Sequence, residues 1–193
     1  MRIVRFTPGP DAGLGQDPLF GVLEDDATIS IISGDPIYSG IQKTAAKIEL
    51  NKVRLLAPII PRSKVVCVGK NYADHAAEMG GVVPDEPIIF LKPNTSVIGP
   101  NDTIVWPDMS ERIDHEAELA IVIGRICKDV PLERVNDVIF GYTIANDVTA
   151  RDIQKKDGQW TRAKGFDTFC PIGPWVDTDF IPGTQKITAT IAG

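Results

Sequence analysis

The chain is poor in the residues that build many reactive centres. Histidine occurs twice, as His75 and His115, and cysteine three times, in 193 residues. Cys67, Cys127 and Cys170 lie far apart, and no pair has the C-x-x-C spacing of a zinc site. An odd count argues against a disulfide framework, and a reducing, cytoplasmic setting is the simplest reading. There is no basic stripe and no run of like charge behind the net charge of −6, which argues against nucleic acid as a partner. Apolar runs are short, such as Ile121 to Ile123; none is long enough to span a bilayer, so no membrane partner is expected. Met1 to Pro10 carries charge and proline and lacks the apolar stretch of a secretory leader. Internal repeats and a G-x-G-x-x-G turn are also missing, which sets aside solenoids and the dinucleotide-binding fold.

What is present suits a folded domain. A hydrophobic share of 43% is ordinary for a globular chain with a buried core, and the length fits one domain, or one domain with a small appendage. Residues 1–57 read as a small β-rich unit. Arg2 to Phe6 alternates in polarity, and Phe20 to Leu23 with Thr28 to Ile32 flank the turn-like Glu24-Asp25-Asp26, which predicts a hairpin. Pro58 and Pro61 mark a linker. Within 58–193, strands are predicted over Lys64 to Val68, Pro87 to Leu91, Glu116 to Gly124, Phe140 to Asn146 and Lys186 to Ala192. Short helices are predicted over Asn71 to Met79, Pro131 to Val138 and Val148 to Lys156. Many short strands with few helices predict a β-rich α+β fold.

The most informative run is Ile113-Asp114-His115-Glu116-Ala117-Glu118-Leu119-Ala120-Ile121-Val122. Glu116 and Glu118 stand at i and i+2 where a strong strand begins, so both carboxylates share one face. Like charges side by side repel unless something neutralises them. A divalent cation with oxygen ligands does so, which suits Mg²⁺ or Mn²⁺. The plainer alternative is two solvated glutamates at an exposed strand end. Asp147, which follows the apolar run Phe140 to Ala145, is the best third ligand. Asp152 reads as a helical surface charge or an arginine partner.

Four stretches occur in one order: Gly69-Lys70-Asn71-Tyr72-Ala73-Asp74-His75, Phe90-Leu91-Lys92-Pro93, Asp114-His115-Glu116-Ala117-Glu118 and Asn146-Asp147-Val148-Thr149-Ala150-Arg151-Asp152. Arg162-Ala163-Lys164-Gly165-Phe166-Asp167 and Cys170-Pro171-Ile172-Gly173-Pro174 continue the series. Together they resemble the fumarylacetoacetate hydrolase superfamily, in its bacterial acylpyruvase, oxaloacetate decarboxylase and 2-hydroxyhepta-2,4-diene-1,7-dioate isomerase types. The resemblance covers Lys64 to the end.

That resemblance implies a mixed β-sheet roll with short helices, preceded by the small N-terminal β-rich domain. It implies Glu116, Glu118 and Asp147 as ligands of Mg²⁺ or Mn²⁺, and Lys164 as an active-site lysine beside the metal. His75 and Glu78 match a histidine–glutamate pair on a helix over the substrate, and their i, i+3 spacing puts them on one helix face. Lys70, Tyr72 and Gln154 match substrate-binding positions; some relatives carry Arg at the position of Lys70. The implied partners are a small 2-oxo acid substrate and a second copy of the chain in a homodimer. The implied reaction is hydrolysis or decarboxylation that cleaves a C–C bond of an acylpyruvate or of oxaloacetate through a metal-stabilised enolate. An isomerase acting on 2-oxo-diene dicarboxylates is the alternative within the same chemistry. Superfamily members continue beyond the position of Gly193 with further strands and a Thr-Gly-Thr-Pro-type loop, so the domain reads as C-terminally truncated, and an inactive metal-binding chain is a further alternative.

The remaining conspicuous residues take structural expectations. His115 is expected to point away from the metal, and Arg151 to pair with Asp147 or Asp152. Trp106, Trp160 and Trp175 are expected as core or loop anchors, and Cys170 as packing rather than a nucleophile.

Overall fold

The computed structural model describes residues 1–72 and 84–191. Thirteen strands are formed there: β1 (Arg2–Pro8), β2 (Leu19–Leu23), β3 (Thr28–Ile32), β4 (Lys43–Glu49), β5 (Val53–Leu56), β6 (Val65–Gly69), β7 (Ile88–Lys92), β8 (Val97–Ile98), β9 (Ile113–Asp114), β10 (Ala117–Ile123), β11 (Ile139–Asn146), β12 (Thr149–Ala150) and β13 (Cys170–Asp177). Three short helices join them: α1 (Pro36–Ser39), α2 (Arg151–Asp157) and α3 (Thr161–Lys164). The fold is β-rich α+β, as the strand-heavy sequence predicts.

One nine-stranded mixed sheet runs in the order β10-β11-β13-β1-β2-β3-β4, with β5 added on β1 and β8 on β13. Only the β8–β13 contact in it is parallel. The predicted hairpin forms: Leu23 faces Ile29, and the Glu24 amide donates to the Thr28 carbonyl at 2.8 Å across the acidic turn. Alternation along β1 sends Val4 and Phe6 into one apolar cluster, with Leu23, Ile29, Ile31 and Ile48. Ile3 goes to the other face, with Val22, Ile32, Val122 and Val176. The second cluster joins the N-terminal strands to β10 and β13. Fully burying each such side chain contributes about 1.5–3 kcal/mol, so the linker prolines separate stretches of sequence whose cores are shared.

A separate ribbon, β6 with β7, shows its two faces to different surroundings. Val66 stands opposite Leu91 and Val68 opposite Ile89; these four aliphatics are 41–57% exposed. The other face presents Phe90 and Lys92. Phe90 meets Trp160 edge-on at 5.4 Å, and Lys92 is 1% exposed.

Three sequence expectations are corrected. The segment predicted as a helix over Pro131 to Val138 is a 3₁₀ helix over Leu132–Asp137, with Pro131 as its extended N-cap. Lys186 to Ala192 was expected as a strand from its alternating Ile187, Ala189 and Ile191; its described residues, 186–191, form no strand and are mostly exposed. Alternation supplies a face, but a strand also needs a partner's hydrogen bonds, and none of the described residues provides one there. The helical turn expected from Val148 begins at Arg151, because Thr149 and Ala150 are used as β12. The helix predicted over Asn71 to Met79 lies outside the described residues beyond Tyr72.

Candidate active site

The site is assembled where β10 and β11 end. Their antiparallel ladder pairs Ala117 with Asn146 and Glu118 with Ala145. One further bond, from the Asp147 amide to the Glu116 carbonyl at 2.8 Å, brings Glu116 and Asp147 opposite each other. The Asn146 side chain accepts from the Glu116 amide at 3.0 Å and fixes the strand entry. Just beyond, β12 pairs with β9, Thr149 facing Asp114. That short pairing carries Arg151 to Asp114 rather than to Asp147 or Asp152. Its Nε donates to Asp114 Oδ2 at 2.9 Å, Nη1 to Gln154 Oε1 at 2.8 Å, and Nη2 to Glu116 Oε1. The expected pairing with Asp147 or Asp152 is therefore wrong. Asp152 instead accepts from the Ser110 hydroxyl and the Glu111 amide, so it is neither an arginine partner nor a free surface charge.

Lys164, at the end of α3, is 3% exposed. Its Nζ donates to Glu116 Oε2 at 2.7 Å and to Asp147 Oδ2 at 2.5 Å. The ring of Phe90 lies 5.1 Å from the same ammonium, a cation–π contact that helps to hold it. Beneath it, the apolar cluster of Val148, Ala150, Ile153, Ala163 and Phe169 supports β12, α2 and α3.

Sequence reasoning passed over Lys92. Its motif alone assigns it no role, although it is the most buried cation of the site. Its Nζ lies 2.8 Å from Asp147 Oδ1. It also donates to the carbonyls of Val148, Phe169 and Lys164, at 3.1, 2.9 and 2.5 Å. The Asp147 Oδ1 atom is buried and has the ion-pair contact without hydrogen-bond geometry. A lysine closing an apolar strand before a proline was the available signal; its partners, at 147 and beyond, are too distant in sequence to be read.

The three carboxylates are not equivalent. Burial disfavours the charge on Glu116, but Lys164 and Arg151 outweigh it and hold the carboxyl below its ordinary value of 4.5. Burial pushes Asp147 above its ordinary value despite Lys92 and Lys164. Glu118 is also pushed up by burial, and by repulsion from Asp147 and Glu116. Asn71 Nδ2 donates to Glu118 Oε2 at 3.2 Å, and the Tyr72 hydroxyl adjoins the same carboxylate while accepting from the Leu119 amide at 3.4 Å.

Of the residues singled out in the sequence, Glu116, Glu118, Asp147, Lys164, Tyr72 and Gln154 come together here. Lys70 stands at the rim, half-buried, with a left-handed φ of 54°. His75 and Glu78 lie outside the described residues. His115 is exposed. Trp106 anchors its loop through Nε1 to the Ser110 carbonyl, Trp160 packs on Phe90, and Trp175 packs on the Val4–Phe6 cluster.

Residues 64–192 match the fumarylacetoacetate hydrolase C-terminal family, and residues 1–58 match the Rv2993c-like N-terminal family. The chain belongs to the fumarylacetoacetate hydrolase family. It is 66% identical over 149 residues to protein Rv2993c of Mycobacterium tuberculosis, a match that covers 77% of this chain and 54% of that protein. Among solved structures it is similar to the 5-carboxymethyl-2-hydroxymuconate delta-isomerase of Mycobacterium smegmatis (50% identity, TM-score 0.83). It is also similar to the 2-hydroxyhepta-2,4-diene-1,7-dioate isomerase of Mycobacterium marinum (48%, TM-score 0.80). Each of these two matches covers 94% of this chain and 68% of the other. The chain thus spans about half the length of the curated relatives it matches. No helix among the described residues is long and apolar enough to cross a membrane.

Members of the family are enzymes, hydrolases and isomerases among them, and typically depend on a divalent metal. The donors here fit one chemically: the set is all oxygen, and Glu118, the carboxylate with no ion pair among the described residues, is left short of positive charge. No group of three or more His, Cys, Asp or Glu among the described residues is arranged to hold an ion; the Lys164 ammonium pairs with both Glu116 and Asp147.

Proposed function

We propose that this chain carries the catalytic face of an isomerase that shifts a double bond in a 2-oxo-diene dicarboxylate, with Mg²⁺ or Mn²⁺ on Glu116, Glu118 and Asp147. The observation that carries the site is Lys164, a buried ammonium against two of those carboxylates. The chain's likeness to a 2-hydroxyhepta-2,4-diene-1,7-dioate isomerase and to a 5-carboxymethyl-2-hydroxymuconate delta-isomerase supports isomerisation over cleavage.

The reaction asks little of the protein beyond moving protons. A 2-hydroxy-2,4-diene becomes a 2-oxo-3-ene when a proton leaves the C2 hydroxyl and one arrives at C5. No carbon–carbon bond breaks and no oxidant is consumed. When bound, the cation would supply Lewis-acid stabilisation of negative charge on the 2-oxygen. Lys164 adds positive charge at the same place, in a site with little water to screen it. His75 with Glu78 is the proposed acid–base pair, the carboxylate orienting the imidazole. Arg151 holds Gln154 by its carbonyl oxygen, which presents the amide nitrogen as a donor to a substrate oxygen. Lys70 and Tyr72 are proposed to contact the substrate carboxylate.

A second reading, hydrolysis or decarboxylation that releases pyruvate, is favoured by the match to the hydrolase family over 64–192. One assay separates the two. The purified chain is given Mg²⁺ or Mn²⁺ and a 2-hydroxy-2,4-diene-1,7-dioate, and loss of diene absorbance is followed. Parallel tubes hold acylpyruvates and oxaloacetate with coupled detection of pyruvate. Diene loss that Lys164→Ala abolishes supports isomerisation; pyruvate release with no diene loss overturns it in favour of cleavage. Neither signal from a folded, metal-binding chain supports binding without turnover.

A further inference from the structure

Glu118 is held differently from the other two carboxylates. Glu116 and Asp147 each have an ammonium within 2.8 Å. Glu118 is met, among the described residues, by neutral donors: the Asn71 amide at 3.2 Å and the adjoining Tyr72 hydroxyl. Both come from the turn that leaves β6, and that turn is pinned on both sides. At its start, Gly69 is so close to the Trp160 indole that a Cβ would come within 2.5 Å of the ring, so a side chain there would displace the turn. Lys70 then takes the left-handed conformation, φ 54°, which redirects the chain toward β10. At its end, Tyr72 accepts the Leu119 amide hydrogen bond, on the β10 edge that no described strand covers.

The chemistry of these donors matters. A lysine or arginine on Glu118 would neutralise it and compete with a cation for its charge. An amide fixes the direction of a carboxylate and leaves its charge available. We propose that Asn71 is a positioning residue of the metal centre, its side-chain amide holding Glu118 beside Glu116 and Asp147 where β10 and β11 end. The proposal rests on the reading of those carboxylates as metal ligands. It gives the Gly69-Lys70-Asn71-Tyr72 turn a task beyond substrate contact: it ties the site's second glutamate to the β6–β7 ribbon, whose other end supplies Lys92.

The test is a Mn²⁺ titration of the full chain, with free Mn²⁺ read by electron paramagnetic resonance, beside thermal unfolding in EDTA. Three proteins are compared: the unaltered chain, Asn71→Leu and Glu118→Gln. Asn71 is exposed, so its replacement should leave the midpoint in EDTA in place; Asn71→Ala is the second variant should the leucine disturb folding. The expected result is a 10–100-fold weaker Mn²⁺ affinity for the Asn71 variant, the size typical of removing a residue that orients a ligand, with an unchanged midpoint in EDTA. Wild-type affinity in a folded Asn71 variant, with Glu118→Gln weakened, overturns the positioning role and leaves the metal reading standing. No Mn²⁺ binding by the unaltered chain, or none lost in Glu118→Gln, overturns the metal reading itself and this proposal with it.

Discussion

Lys92 and Asp147 form a buried ion pair, Nζ to Oδ1 at 2.8 Å, between the end of β7 and the end of β11. Removing Lys92 leaves buried Asp147 with Lys164 as its one ammonium partner among the described residues and uncompensated at Oδ1. Here the loss is larger than one contact, since Lys92 also satisfies three backbone carbonyls. Lys92→Met is expected to lower unfolding stability by about 3–5 kcal/mol, read from urea denaturation. Adding Asp147→Asn should recover part of that loss; if the single variant is as stable as the unaltered chain, the pair is not a keystone of the site.

Arg151 reaches three partners with one planar guanidinium. A lysine keeps the charge but cannot span Asp114, Glu116 and Gln154 together. Arg151→Lys is expected to cost about 2 kcal/mol, the scale of hydrogen bonds to charged groups, and calorimetric unfolding measures it. Equal stability would mean that the fork geometry is dispensable.

The cysteines give a pH-dependent prediction. Burial, with Asp147 nearby, pushes the Cys67 thiol up to about 12, and burial pushes Cys170 up to about 11. A raised thiol pKa keeps the neutral form at ordinary pH, and only the thiolate attacks. At pH 8, four units below 12, about one Cys67 in 10⁴ is ionised. Iodoacetamide at pH 8 should therefore modify the exposed Cys127 first, with Cys67 and Cys170 following only in denaturant. Their rates should rise about tenfold per pH unit while the fold persists. Mass spectrometry of timed samples decides; equal labelling of all three at pH 8 contradicts the burial.

The two faces of the β6–β7 ribbon should respond differently to substitution. Val66→Thr, on the exposed face, is expected to change stability by less than about 0.5 kcal/mol. Phe90→Ala, on the face under Lys164, is expected to cost on the order of 2 kcal/mol, below the value for a fully buried phenylalanine. It should also reduce the proposed isomerase activity by loosening the ammonium. Thermal melts and the diene assay read the two effects separately.

The parts of the site that were legible in the sequence are those set by local geometry. Glu116 and Glu118 share a face because strand side chains alternate, and Asp147 follows an apolar run that had to be a strand. Lys164 came from resemblance alone. The partners of Arg151 are not legible, because the β9–β12 pairing that decides its contacts is only two residues long on each side. Nor are those of Lys92, since they lie at 147, 148, 164 and 169. Lys186 to Ile191 shows the converse, a pattern without the neighbour needed to make it a strand.

The β1–β13 pairing has a consequence for how the protein is made. One edge of β1 is shared: Arg5 to Pro8 bond to β5, and Arg2 and Ile3 bond to β13 at Asp177 and Val176. The terminal amine reaches Thr178, 177 positions away. Contacts of that separation form late, because the intervening chain must first give up its freedom. During synthesis, β1 can pair with β2 early through Arg2 to Phe6, while its other edge at Arg2 and Ile3 still awaits β13. Until then, Ile3, Val22 and Ile32 lack Val122 and Val176 and stay open to chaperones and proteases. A nascent chain stalled before Cys170 would keep the β13-facing edge of Arg2 and Ile3 open.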